Sequence, residues 1–203
     1  EEATATLNGT GTLILNGYRY GLGIFGNSHV QIETGTIEAS ATEASYATGI
    51  GIGTGAKLEI SGGKITGTGG RGIGMYAGTD STAGELEITA GEVFANGSVT
   101  GKGLEVNREG KVTVSGGKLI ATGGERGRGI YAEGNAQIRV KEQGEVEASG
   151  GEWGIRLGST SAAHSSFIVE GENGHVKTNS VEVLNFNSMT IQNGGILETT
   201  GNT

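Results

Sequence analysis

The sequence predicts an all-β chain folded as one right-handed parallel β-helix, about eight coils with three short strands to the coil. Three observations predict it. The text returns at a nearly constant interval; apolar and polar residues alternate within each return; and glycine fills 42 of 203 positions while proline is absent.

The return is plainest in "SGGKITGTGGRGIGMYAG" at 61–78, which comes back as "SGGKLIATGGERGRGIYAEG" at 115–134. Anchored on "LEISGGKI", related segments start at residues 5, 30, 58, 86, 112, 138, 167 and 189, so the interval runs from 22 to 29 residues. A flexible linker has no reason to repeat its isoleucines. The interval is too irregular for a collagen triplet, and the units are too rich in β-branched residues for a helical repeat.

Each unit holds three alternating segments. Leu58 and Ile60 mark the first, matched by Leu86/Ile88, Val112/Val114, Ile138/Val140 and Phe167/Val169. The second centres on Ile65, matched by Ile37, Val93, Leu119, Val146 and Val176. The third is Ile73/Met75, matched by Leu22/Ile24, Ile50/Ile52, Leu104/Val106, Ile130/Ala132, Ile155/Leu157 and Val181/Val183. A period of two means a strand with one buried face. Each strand is expected to pair with its equivalent one coil later, giving a rod on the order of 40 Å long at about 4.8 Å per coil. Parallel crossovers favour the right hand. A slim core of stacked ladders needs few aliphatics per coil, which accommodates an apolar share of only 34%.

Glycine is read as architecture. The runs after the second strand ("NG" at 16 and 96, "TGG" at 68 and 122, "SGG" at 149) are expected to give positive φ at a corner. Gly21, Gly49, Gly72, Gly103, Gly129 and Gly154 then open the third strand. Ala39, Gly67, Ala95, Ala121 and Ala148 share an inner position that takes only a small side chain.

Bulk properties exclude several classes. With no cysteine there is no disulfide framework or thiol metal site. No apolar run is long enough to cross a membrane as a helix, so no direct membrane insertion is expected of this segment. A net charge of −8 argues against nucleic acid as a partner. His29, His164 and His175 lie far apart without metal-ligand spacing, and no cofactor motif is present.

The pattern aliphatic-x-aliphatic-Ser-Gly-Gly-x-aliphatic-x-Ala-Thr-Gly-Gly, followed by Gly-Ile, resembles the right-handed β-helix repeats of bacterial surface and carbohydrate-binding proteins within the pectin-lyase-like superfold. The resemblance covers most of the chain. It implies a secreted or cell-surface module, extracellular and bacterial, that binds carbohydrate or serves as an adhesin or structural stalk. The alternative it implies is a polysaccharide lyase or glycoside hydrolase of the pectin-lyase-like type. The hydrolase pattern of such enzymes is missing, and the single aspartate, Asp80, makes an aspartate pair impossible. Glu105, Glu133 and Arg128 could in principle be arranged for lyase chemistry, but two carboxylates with an arginine nearby are common on any acidic surface. No catalytic residue is assigned.

The outward positions are read by the same alternation. Thr36, Lys64, Glu92, Lys118, Glu145 and His175 form one column, with charges alternating from Lys64 onward, and register control is its expected role. A flat threonine array for ice is interrupted by Phe94, Ile120, Glu147 and Lys177. The corner between second and third strands varies in length and carries "YRY" at 18–20, Tyr46, Arg71, Lys102, "ERGR" at 125–128 and the only tryptophan. Variable insertions on one edge of a solenoid commonly form its binding surface. Stacking in register would gather Arg126, Arg128, Tyr131, Trp153 and Arg156, with Arg71 and Tyr76 beside them. Arginine forks carboxylates and aromatic rings cover apolar faces, so these seven residues are the expected carbohydrate site, with an acidic polysaccharide or host glycan as ligand.

A β-helix exposes its core at each end unless something covers it. No capping helix is evident, and the last coil stops before a third strand. Residues 1–203 are therefore expected to be one domain from a longer surface protein, and end-to-end self-association is the other outcome of open ends.

Overall fold

The computed structural model describes residues 2–43, 47–76, 84–158 and 164–201; Tyr46 and Asp80 lie outside them. It is a parallel β-solenoid with no helix among the described residues. Eight strands stack along face one: Thr4–Leu7, His29–Ile32, Lys57–Ile60, Glu85–Ile88, Lys111–Val114, Gln137–Val140, Ser166–Glu170 and Ser188–Gln192. Eight rungs enclose about seven turns, which refines the expected coil count. Every recorded pairing is parallel and joins a strand to its equivalent in the neighbouring coil.

Faces two and three form one continuous sheet, because the strands Lys64–Met75 and Glu92–Asn107 run through the corner without a break. In the other coils the corner separates two strands, as between Lys118–Thr122 and Arg128–Glu133. Between Gly97 and Lys102 the chain bulges by residues 98–101, where the preceding coil has only Gly70 between Gly69 and Arg71. The insertions therefore fall at the corner that the sequence marks as variable.

The ladders follow the alternation residue by residue. Ile65 pairs with Ile37 on one side and Val93 on the other, and Ile73 with Ile50 and Leu104. Leu58 pairs with Leu86. All of these are buried and belong to a single continuous core. Each fully buried Leu, Ile or Val removed from water is worth about 1.5–3 kcal/mol, so a narrow stack of rungs suffices where few aliphatics are present.

Glycine serves two purposes, and one differs from expectation. The corner glycines Gly17, Gly69, Gly97, Gly123 and Gly150 do not have positive φ. A Cβ on Gly97 would lie 2.6 Å from the Lys102 backbone, and one on Gly150 2.5 Å from the Trp153 carbonyl. The corner folds back so tightly that the next strand fills the space a side chain needs. Left-handed backbone appears instead between faces one and two, at Gly35 (φ 88°), Gly63 (81°), Gly91 (83°) and Gly117 (70°).

The two columns of small residues prove to face each other. A Cβ on Gly72 would come within 2.7 Å of the Ala95 Cα, and one on Gly49 within 2.7 Å of the Gly67 Cα. Faces two and three thus meet backbone to backbone, and Ala39, Gly67, Ala95, Ala121 and Ala148 are small because nothing larger fits. The following member of that column is Thr178, which is buried and spends its hydroxyl on the Ser180 carbonyl at 3.0 Å.

Candidate functional site at the corner and face three

Parallel register sets side chains of successive coils side by side, about 4.8 Å apart. On face three one such column reads Tyr20, Thr48, Arg71, Lys102, Arg128, Trp153. The next reads Gly74, Glu105, Tyr131, Arg156, Glu182. The structure thus brings together five of the seven expected site residues: Arg71, Arg128, Trp153, Tyr131 and Arg156. Tyr76 lies at the same face, its ring 5.7 Å from the Arg71 guanidinium carbon. Arg126 stands apart on the exposed corner loop, anchored by its backbone N–H donating to the Val99 carbonyl at 2.8 Å.

These cations have partners within the chain. Arg71 Nε donates to Glu105 Oε2, and Lys102 Nζ donates to Glu105 Oε1 at 2.6 Å. Glu105 is buried, so its charge depends on both. Arg128 pairs with Glu152 at 2.8 Å, and Arg156 reaches Glu152 at 3.5 Å and Glu182 at 2.7 Å. Lys102 and Arg128 both lie over the Tyr131 ring, at 4.9 and 5.0 Å from its centroid. The Tyr131 hydroxyl donates to Glu133 at 2.7 Å. The aromatic rings and cations interleave into one network spanning several coils.

Burial shifts three of its members, and the first is Tyr76, whose hydroxyl it raises. Loss of hydration lowers Lys102 to about 8, and the neighbouring Arg71 and Arg128 charges add to the effect. Burial raises the Tyr131 hydroxyl to about 12, and the bond to Glu133 adds to it. Chemically, the stripe keeps a phenol protonated beyond its ordinary range.

Toward the first coil the stripe turns aromatic. Gly23, Gly51 and Gly74 stand in register and form a floor without side chains. Ring atoms of Phe25, Tyr20 and Tyr76 occupy the space above them, within 3 Å of where each Cβ would be. Tyr20 meets Phe25 edge-on at 5.0 Å and Tyr76 at 6.3 Å. Tyr76 shares a hydrogen bond of 2.6 Å with Thr48.

On face two the alternating column is present in register, from Thr36 through Lys64, Glu92, Lys118 and Glu145 to His175. Its bonding is partly diagonal. Lys118 reaches Glu147 at 2.5 Å and Glu145 only at 4.0 Å, and Lys64 sits over the Phe94 ring at 5.0 Å. Sequence reasoning passed over Glu152 and Glu182 as partners of the arginines, and it left the outer surface of face one unread. Opposite charges one rung apart were the available signal for the first. Among the described residues, no group of three or more His, Cys, Asp or Glu is placed to hold a metal ion, and no helix is long and apolar enough to cross a membrane. No protein-family model, curated protein or solved structure matches the chain.

Proposed function

We propose that the chain is a non-catalytic module of an extracellular or cell-surface protein, a rigid solenoid that contacts carbohydrate along its flank. The observation that supports this reading is the parallel stacking of outward columns over about seven turns, kept on both sides of the bulge at residues 98–101. A surface that repeats every 4.8 Å or so suits a polymer that itself repeats. A stalk role is favoured by a second observation. Ion pairs tie coil to coil on face three, from Arg71–Glu105 to Arg156–Glu182, and on face one, where Lys57 meets Glu87 at 2.8 Å. Such pairs hold neighbouring rungs in register.

A glycan array, paired with an assay for new reducing or unsaturated chain ends, tests the reading. Binding without new ends is the expected result. Release of new ends would replace it with the lyase or hydrolase alternative, and silence across the array would leave the stalk role alone.

A further inference from the structure

A groove of about 440 Å³ runs over face one, across the strands Lys111–Val114, Gln137–Val140 and Ser166–Glu170. Lys111, Thr113, Gln137, Arg139, Lys141 and Ser166 turn polar groups toward it, and Ile168 gives it an apolar patch. Register places Lys111 beside Gln137 and Ser166 in one column, and Thr113 beside Arg139 and Ile168 in the next. The groove therefore offers donors at two spacings, one rung across and two residues along.

Its cations differ from those of face three in how firmly they are held. The Lys111, Arg139 and Lys141 side chains are 52%, 53% and 37% exposed. Their carboxylate contacts, to Glu85, Glu170 and Glu142, are 3.3, 3.5 and 3.3 Å. Exposed pairs of this kind contribute little to stability and exchange readily for another anion. The one carboxylate lining the groove, Glu87, is engaged by Lys57. Thr113, Gln137 and Ser166 make no side-chain hydrogen bond among the described residues, although each lines the groove.

We propose that this groove binds an anionic sugar segment, its carboxylate or sulfate ester taken by Arg139 and Lys111 and its hydroxyls by Thr113, Gln137 and Ser166. Lys141 closes the end of the site. Three recruitable cations explain the preference for an anionic ligand; three idle polar side chains and an apolar patch explain the preference for a sugar over a simple anion. The proposal rests on the carbohydrate-contact reading above and narrows it to one face and one ligand class.

Titration calorimetry at low salt tests it, with an oligogalacturonate, a sulfated oligosaccharide and a neutral oligosaccharide as probes. At least one anionic probe should bind and the neutral one should not. Lys111→Ala and Arg139→Ala, both at exposed positions, should each weaken binding about tenfold, whereas Lys177→Ala, which removes an exposed cation from face two, should leave it unchanged. Equal binding by the wild type and the two groove variants overturns the proposal, as does an equal loss through Lys177→Ala; the carbohydrate reading then stands. A neutral probe that binds as tightly as the anionic ones has the same consequence. Failure of both anionic probes to bind the wild type overturns the proposal, and the carbohydrate reading then stands or falls by the glycan array.

Discussion

Face one and face three carry the same kinds of side chain in the same ladder geometry, yet they hold their charges differently. On face three the Arg71, Lys102, Arg128 and Arg156 side chains are 17–22% exposed and share Glu105, Glu152 and Glu182. On face one Lys111 and Arg139 are about half exposed, with carboxylates at 3.3 Å or more. Removing a partner from the first set strands a charge away from water; removing one from the second returns a charge to water. A cluster of arginines is therefore not by itself a receptor for an anion. What decides is whether the cluster has already met its countercharge where solvent cannot substitute for it.

The sharpest way to break that comparison is at Glu105. Glu105→Ala should cost about 3–5 kcal/mol, because Arg71 and Lys102 lose the buried carboxylate they share. Denaturant unfolding would measure it. A cost under about 1 kcal/mol, the range of an exposed pair, would mean that face three is as wet as face one.

Gly72→Ala probes the packing beneath the same stripe. The added methyl has nowhere to go, since its space lies within 3 Å of the Ala95 backbone. Overpacking of this kind costs about 1–3 kcal/mol, and the thermal midpoint should fall accordingly. The same change at Gly26, which has nothing within 4 Å of its Cβ position but a φ of 64°, isolates backbone strain from crowding. It should cost less.

The expectations that survived contact with the structure are those a period of two can express. Leu58 with Leu86, Ile65 with Val93 and Ile73 with Leu104 are pairings that follow once the anchors are aligned, because parallel stacking admits one register that buries every aliphatic. The corner glycines were legible as required but not for the right reason. Positive φ and lack of room leave the same letter in the sequence, and only coordinates separate Gly63 from Gly97. The site was half legible for a related reason. Alignment gathers Arg128, Tyr131, Trp153 and Arg156, but the carboxylates that occupy the arginines come from positions 152 and 182, one in a corner of variable length and one in a short third strand. The groove of face one escaped because its signal is that Thr113, Gln137 and Ser166 have no side-chain hydrogen bond among the described residues, which no linear pattern encodes.

Titration sharpens the comparison within face three. Lys102 releases its proton near 8 in the folded chain and near 10.5 in the unfolded one, so between those values the unfolded state binds more protons and stability should rise with pH. Tyr131 has the opposite sign. The folded state keeps its phenol proton to about 12 while the unfolded state loses it near 10, so the stabilisation is complete below pH 10 and lost as pH climbs toward 12. Compared with Lys102→Met, the wild type should gain stability from pH 8 to 10. Compared with Tyr131→Phe, it should lose stability above pH 10. Tyrosinate absorbance followed against pH would show a residue titrating near 12 that is missing from Tyr131→Phe, while Tyr76, also raised by burial, still titrates late in that variant. A Tyr131 that ionises at the ordinary value would mean that its ring is not shut away between Lys102, Arg128 and Glu133.

The smallest effect belongs to face one, and its smallness is the point. Lys111→Ala removes an exposed pair with Glu85 and should change stability by no more than about 1 kcal/mol. The same substitution is expected to weaken binding of an anionic oligosaccharide about tenfold. A residue that matters little to the fold and much to a ligand is one whose charge the fold has left unspent. A large stability loss from Lys111→Ala would place this lysine with Lys102 among the structural cations and remove the contrast between the two faces.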